Sequence, residues 1–198
     1  MAESISQYPM VDKFLRYLQV EKNTSPLTVK NYAADISLFS NFLAERLGKD
    51  FQWQKIGVLD IRAYLALLNK EKYARTTIAR RISSLRSFYK FLMRENYVEQ
   101  NPFVKVRTPK LEKRLPVFLE ELEINEILTL PDKDTLGLRD QAILELLYAT
   151  GCRVSELVGL TVTNIDLGSQ YVLLLGKGNK ERFVYFGTPC RKALDDYL

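Results

Sequence analysis

Ile78, Ile82, Leu85, Tyr89 and Leu92 follow one another at spacings of 4, 3, 4 and 3. That rhythm belongs to an α-helix and draws all five side chains into one continuous apolar stripe. A stripe of that length must be covered by other elements that are apolar on one side, and the preceding chain supplies three. Val11, Phe14, Leu15 and Leu18 predict a first helix over Val11–Val20. Asn23-Thr24-Ser25-Pro26 is a start signal, with Ser25 as N-cap and Pro26 in the first turn. The helix it opens turns Val29, Tyr32, Ala33, Ile36, Phe39 and Leu43 inward and stops near Gly48. Asp60 is read as the cap of a third helix, with Ile61, Tyr64, Leu65 and Leu68 inward. The striped helix itself starts near Thr76 or Thr77 and runs to about Arg94.

The other side of the striped helix is basic. Seven Lys or Arg residues and no acidic one lie between Lys72 and Arg94. At about 100° per residue, Arg75, Arg80, Arg86, Lys90 and Arg94 gather on one flank of the stripe. Such a flank is either a solvated surface or a polyanion contact. Solvated helix faces usually mix signs to gain i,i+4 pairs, so an unbroken positive flank points to duplex phosphates. The charge of the whole chain is divided in the same sense. Up to Lys110 there are 19 Lys and Arg against 10 Asp and Glu, and from Leu111 onward 10 against 14.

Asn101-Pro102 ends the helical region. Lys105 to Pro116 then form a basic, Pro-punctuated stretch without apolar periodicity, in which Lys105 and Arg107 can track a nucleic-acid backbone or simply be solvated. Beyond it, Glu120–Leu130 and Leu136–Ala149 read as helices, and Ala142, Ile143, Leu146 and Leu147 suit burial. Thr150-Gly151 breaks the second of these, and Arg153–Leu157 reads as a short helix. Tyr171–Leu175 and Arg182–Phe186 are β-prone runs around Gly-Lys-Gly-Asn-Lys-Glu and predict a hairpin. Arg191–Leu198 opens a last helix within which the sequence stops, the expectation being a truncated chain.

Some chemistry is excluded outright. The chain holds no histidine, so Ser-His and Cys-His dyads and a histidine general base are absent from it. Two cysteines, Cys152 and Cys190, read as reduced thiols of a cytoplasmic protein rather than as a disulfide framework. No apolar run approaches the roughly 20 residues that span a bilayer, and the first residues lack a signal-peptide layout. GxxxxGK[ST] does not occur, which argues against ATP held by a Walker cradle.

Groups of the kind a phosphodiester would need are present. Arg153, after a Thr-Gly break and at a helix start, can direct its guanidinium at a phosphate. Glu156, three residues on, can orient that arginine or hold a proton, although an isolated Arg-x-x-Glu is more often a surface ion pair. Lys177 sits on the Gly-Lys-Gly tip, where an ammonium can protonate an oxygen leaving phosphorus or merely keep a turn soluble. Lys180 and Arg182 add positive charge beside it.

ATGCRVSELVGL followed by GKGNKER resembles the tyrosine recombinase family, and within it the bacterial Xer recombinases. The upstream segments SPLTVKNYAADISLFSNFL, RTTIARRISSLRSFYKFLMRENYVEQNP and PKLEKRLPVFL carry the same resemblance over nearly the whole chain. The resemblance implies a mainly α protein of two domains. Residues 1–108 would form a four-helix, SAM-like core-binding domain, 109–116 a basic linker, and 117–198 the first part of a mixed α+β catalytic domain with a β-hairpin. Such enzymes clamp duplex DNA between the two domains. They attack the scissile phosphate with a tyrosine, leaving a 3′-phosphotyrosyl link and a 5′-hydroxyl. The bond energy is kept in that link, so neither ATP nor a metal cofactor is implied. The assembly implied is a tetramer on a DNA recombination site, with a paralogous recombinase as a further partner.

By position, Arg153 would be the first catalytic arginine, Lys177 the hairpin lysine and Glu156 the accessory acid. Arg75, Arg80, Arg86, Lys90, Arg94, Lys105, Arg107, Lys180 and Arg182 would contact DNA. The family's HxxR segment, further His or Trp and nucleophilic tyrosine have no counterpart here. Tyr197 precedes where they fall and is expected to pack its helix. The expectation is a monomeric DNA-binding chain that does not cleave, from an enzyme that resolves chromosome dimers. A mobile-element integrase, or a non-catalytic DNA-binding regulator derived from a recombinase, shares these segments. A helical protein–protein module fits less well with the basic flank.

Overall fold

The computed structural model describes residues 8–110, 115–176, 178 and 180–198. The chain divides into two compact units, Met1–Arg114 and Leu115–Leu198.

The first unit is built on four helices, α1 (Pro9–Val20), α2 (Pro26–Leu47), α3 (Val58–Lys70) and α4 (Arg75–Arg94). The α2 start is as the sequence predicts: Ser25 Oγ accepts from the Thr28 amide at 3.4 Å, with Pro26 in the first turn. The α2 stop is Gly48, whose φ of 94° lies where a β-carbon is costly. The start of α3 differs from expectation. Gly57 is its N-cap, and Asp60 is the third helical residue, reaching back to accept from the Gly57 amide at 3.1 Å. The carboxylate does cap the helix, but from inside the first turn.

All five stripe residues of α4 are buried. They meet an aromatic core of Phe14, Phe39, Trp53, Tyr64, Phe88, Tyr89 and Phe103. Trp53 lies edge-on to Phe88 with centroids 5.0 Å apart, and Phe39 edge-on to Phe103 at 5.6 Å. Trp53 is carried by a short 3₁₀ turn, Trp53–Lys55, too brief to leave a periodic signal. Phe103 and Val106 pack on this core, so the chain after Pro102 stays with the helices rather than starting as a free tether.

In the second unit, α5 (Glu121–Thr129) and α6 (Thr135–Thr150) lead to α7 (Val154–Val158). A second 3₁₀ turn (Val162–Asn164) follows, then β1 (Ile165–Asp166), β2 (Tyr171–Gly176), β3 (Lys180–Tyr185) and α8 (Thr188–Tyr197). The strands form an antiparallel sheet in the order β1-β2-β3. The hairpin was legible in the sequence; β1, two residues long, is below the reach of any period. Val172 and Leu174 point into a core shared with Ala142, Leu146, Cys152, Phe186, Cys190 and Leu194. Both cysteines are free thiols, and burial, with Glu145 and Cys152 adding to it, pushes Cys190 up to about 12. Tyr197 is the last residue of α8 and is 42% exposed.

Gly151 ends α6 at φ 59°. Gly137, in the first turn of α6, has a different reason to be glycine: a β-carbon there would lie 2.0 Å from the Asp132 carbonyl oxygen. Gly137→Ala is therefore expected to destabilise the second unit by about 1–3 kcal/mol through overpacking, read as a lowered thermal midpoint in circular dichroism. Phe88→Ala should cost the first unit about 3–5 kcal/mol. Trp53, the single tryptophan, reports that unit's urea transition by fluorescence, and an unchanged midpoint would remove Phe88 from the core.

Candidate phosphate site and nucleic-acid interface

The Thr150-Gly151 break sets the site's geometry. Gly151 turns the chain out of α6, Cys152 is buried, and Arg153 stands at the N-cap of α7 in extended backbone, φ −73° and ψ 148°. From the first turn of α7, Glu156 Oε2 accepts from the Arg153 amide at 2.9 Å, and Oε1 accepts from Arg153 Nη1 at 2.9 Å. The two side chains differ sharply in environment: Glu156 is 4% exposed and Arg153 71%. The carboxylate is thus an internal anchor, and the guanidinium presents its remaining donors to solvent.

Arg182 completes the anchor. In β3 it is paired in register with Leu174, on the inward side of the hairpin. Its Nη1 and Nη2 donate to Glu156 Oε1 and Oε2 at 3.0 and 2.8 Å, a two-pronged contact. The Arg182 guanidinium first, then the Arg153 amide, hold the Glu156 carboxyl at about 2, well below the ordinary 4.5, against the opposing effect of burial. The Arg153–Glu156 pair was legible from the spacing of three. The link to Arg182, 26 residues from Glu156, needed the strand register.

Lys177 lies outside the described residues. Lys180 is exposed at the start of β3. Arg75 and Lys90 are exposed, with no ion pair or hydrogen bond from their side chains among the described residues. The other three cations of the α4 flank are engaged within the first unit. Arg86 donates from Nε to the Phe103 carbonyl at 3.3 Å and from Nη2 to the Val106 carbonyl at 2.9 Å, holding the segment that follows α4. Arg94 pairs with Glu21 at 3.1 Å and Glu95 at 3.2 Å and lies over the Tyr17 ring at 4.1 Å. Arg80 pairs with Asp35. The uninterrupted basic flank read from α4 alone is thus partly neutralised, because the residue after α1, α2 and the residue after α4 bring acids to it. Lys105 and Arg107 are exposed in the segment Arg86 secures.

Sequence reasoning missed the Asp35 cluster. Asp35 is buried on α2, accepts from Ser84 at 2.9 Å, and has Arg81 Nε at 3.6 Å besides Arg80. Arg81 stacks over the Tyr73 ring at 3.9 Å. The only sequence signal was an acid on the apolar face of α2, Asp35 standing three residues after Tyr32 and four before Phe39.

The Glu156 shift has a defined sign. Its folded value lies below its unfolded one, so the stabilisation is complete above about pH 4.5 and is lost as pH falls toward about 2. Wild type should exceed Glu156→Gln in melting temperature at neutral pH, with the gap closing through that window. A gap independent of pH would show that Glu156 is not held as an anion.

Comparison with known proteins falls in step with this architecture. The model described as "Phage integrase, N-terminal SAM-like domain" matches residues 11–96, and the "Phage integrase family" model matches 117–198. Tyrosine recombinase XerC of Listeria innocua is 46% identical over 188 residues, covering 94% of this chain and 62% of that protein. Tyrosine recombinase XerC of Bacillus subtilis is 45% identical over 189 residues, covering 95% and 62%. The chain therefore spans about 62% of the length of these curated relatives. Among solved structures, a lambda integrase dimer bound to a COC′ core site superposes with a TM-score of 0.68 at 19% identity, over 94% of this chain and 64% of that one, a likeness of fold. Both units are matched in order by phage-integrase models, and close to half the residues are shared with XerC proteins along almost the whole sequence; the chain belongs to the tyrosine recombinase family.

Proposed function

We propose that this chain supplies the duplex-gripping unit and part of the phosphate-activating machinery of a site-specific tyrosine recombinase of the XerC kind. The observation that carries the proposal is Arg153, whose exposed guanidinium and backbone amide each donate to a buried, ionised Glu156. A cation held so is organised before a phosphate arrives, and it stabilises the extra negative charge that phosphorus gathers when a fifth oxygen attacks. In the full reaction a tyrosine oxygen forms the new bond to phosphorus. The 5′ oxygen leaves, taking a proton from Lys177, and the 3′-phosphotyrosyl link stores the bond for rejoining. Arg153 and Glu156 act on charge and position; the attacking tyrosine lies outside the assignments made for these 198 residues.

The first unit grips the duplex. Arg75 and Lys90, exposed on α4, with Lys105 and Arg107 beyond it, meet backbone phosphates, and in the second unit Lys180 on the hairpin does the same. Such contacts fix register without reading sequence. Arg80, Arg86 and Arg94 keep a share in that surface through the donors their intramolecular partners leave over. The partner is a double-stranded recombination site, occupied by a tetramer that includes a paralogous recombinase. The cellular role is resolution of chromosome dimers, in the cytoplasm. Identity to XerC proteins favours this over a mobile-element integrase.

A salt series with a labelled duplex tests the grip. Lys90→Ala should weaken binding about equally for all sequences and reduce the salt slope by about 1. Arg86→Ala should instead lower the urea midpoint of the first unit, since it frees two carbonyls. An unchanged slope for Lys90→Ala would move the DNA face off α4. A nicked suicide duplex run alongside should trap no covalent adduct with a polypeptide of these 198 residues; an adduct would mean that a tyrosine among them attacks DNA.

A further inference from the structure

Arg182 sits where a DNA-contacting residue of the hairpin would be sought, yet each of its two terminal nitrogens donates to Glu156, with the side chain 40% exposed. Each Glu156 oxygen receives one donor from Arg153 and one from Arg182: Oε1 from the two Nη1 atoms at 2.9 and 3.0 Å, and Oε2 from the Arg153 amide at 2.9 Å and Arg182 Nη2 at 2.8 Å. Four donors fill a carboxylate. Neither oxygen has a reason to turn elsewhere while both arginines are present.

The hairpin is shaped for this contact. A β-carbon on Gly176 would come 3.2 Å from Arg182 Nη1 and 3.6 Å from Glu156 Oε1. The first glycine of Gly-Lys-Gly therefore leaves room for the two-pronged pair to pass, besides any part it plays in the turn. Glu156 is buried, so losing Arg182 would leave a carboxylate out of water with one cationic partner that is itself mostly in solvent. The carboxylate would then gain a proton or swing toward water, and either change releases the Arg153 side chain.

We propose that Arg182 is a positioning residue: through Glu156 it locks the β2–β3 hairpin to the start of α7 and so fixes Arg153 for its phosphate. The role rests on the reading of Arg153 as a phosphate ligand, and it differs from a direct Arg182–DNA contact. It ties the two segments that carry the family's chemistry through one anion, so that the strand after the Lys177 tip and the helix start bearing Arg153 cannot shift separately. Lysine at 182 would keep the charge but lose the fork that addresses both oxygens at once.

The test uses the 198-residue protein labelled for NMR, with Glu156→Gln to assign the Glu156 carboxyl carbon and Arg153→Ala to assign the Arg153 Nε signal. Two quantities are read in wild type, Arg182→Gln and Arg182→Lys: the pH titration of the Glu156 carboxyl, and the affinity of inorganic phosphate as reported by Arg153 Nε. In Arg182→Gln the Glu156 midpoint should move up toward the ordinary carboxylate range. Phosphate affinity at Arg153 should fall about tenfold, the scale at which removing a partner behind a liganding group acts. Arg182→Lys should keep most of the low midpoint and regain part of the affinity; should Arg182→Gln fail to fold, Arg182→Lys and Gly176→Ala carry the comparison. An unmoved titration with unmoved affinity overturns the positioning role. Lost affinity with an unmoved titration also overturns it, because Arg182 would then be touching phosphate itself. No phosphate response at Arg153 in wild type would instead refute the reading of Arg153, while the titration would still decide whether Arg182 governs Glu156.

Discussion

A carboxylate removed from water has to be met by cations or give up its charge, and each unit of this chain contains such a group. In the first unit it is Asp35, on α2, 2% exposed, with Arg80, Arg81 and Ser84 of α4 converging on it. Burial raises its pKa against the pull of those three groups. In the second it is Glu156, with Arg153 and Arg182. In both places the acid joins elements distant in sequence. Asp35 and Ser84 are 49 residues apart, and Glu156 and Arg182 are 26 apart. Apolar packing tolerates small slips; a buried ion pair with the right number of donors does so far less. The two carboxylates therefore add a constraint on register to that of the hydrophobic cores.

The same economy decides which cations are left for a polyanion. An arginine sunk into a carboxylate contact retains its charge but loses reach, whereas Arg153, held from behind, keeps both. Its anchor is 4% exposed while it is 71% exposed, a contrast that the spacing of the motif does not show. On α4 the corresponding division sets Arg75 and Lys90, directed outward, apart from Arg86, whose guanidinium closes onto the carbonyls of Phe103 and Val106. A helix that looks evenly basic in one dimension thus has some of its cations engaged within the fold and others exposed.

The aromatic core of the first unit serves this arrangement. Trp53, Phe39, Phe88 and Phe103 pack edge to face, which favours a narrow set of helix positions. With α4 held along its whole length, the outward residues at its ends keep a constant spacing. The second unit has a smaller core, and its sheet buries only one side: Tyr171, Phe183 and Tyr185 cluster on the outer side, with Phe183 62% and Tyr185 71% exposed.

The sequence by itself determined the helices, their inward stripes, the Ser25 start, the Gly48 and Gly151 stops, the hairpin and the Arg153–Glu156 pair, because each follows from neighbours within about one or two turns. The family, too, was legible, since ATGCRVSELVGL and GKGNKER keep their order and character. It misplaced what competition settles locally, such as Asp60 acting from inside the first turn of α3. Only the tertiary structure decided which charges are structural. Arg80 and Arg86 read alike on a helical wheel, and so do Lys180 and Arg182 along a strand. Their partners come from α2, from the segment after α4 and from α7, and a one-dimensional pattern carries no information about a carboxylate or carbonyl that folding brings from elsewhere.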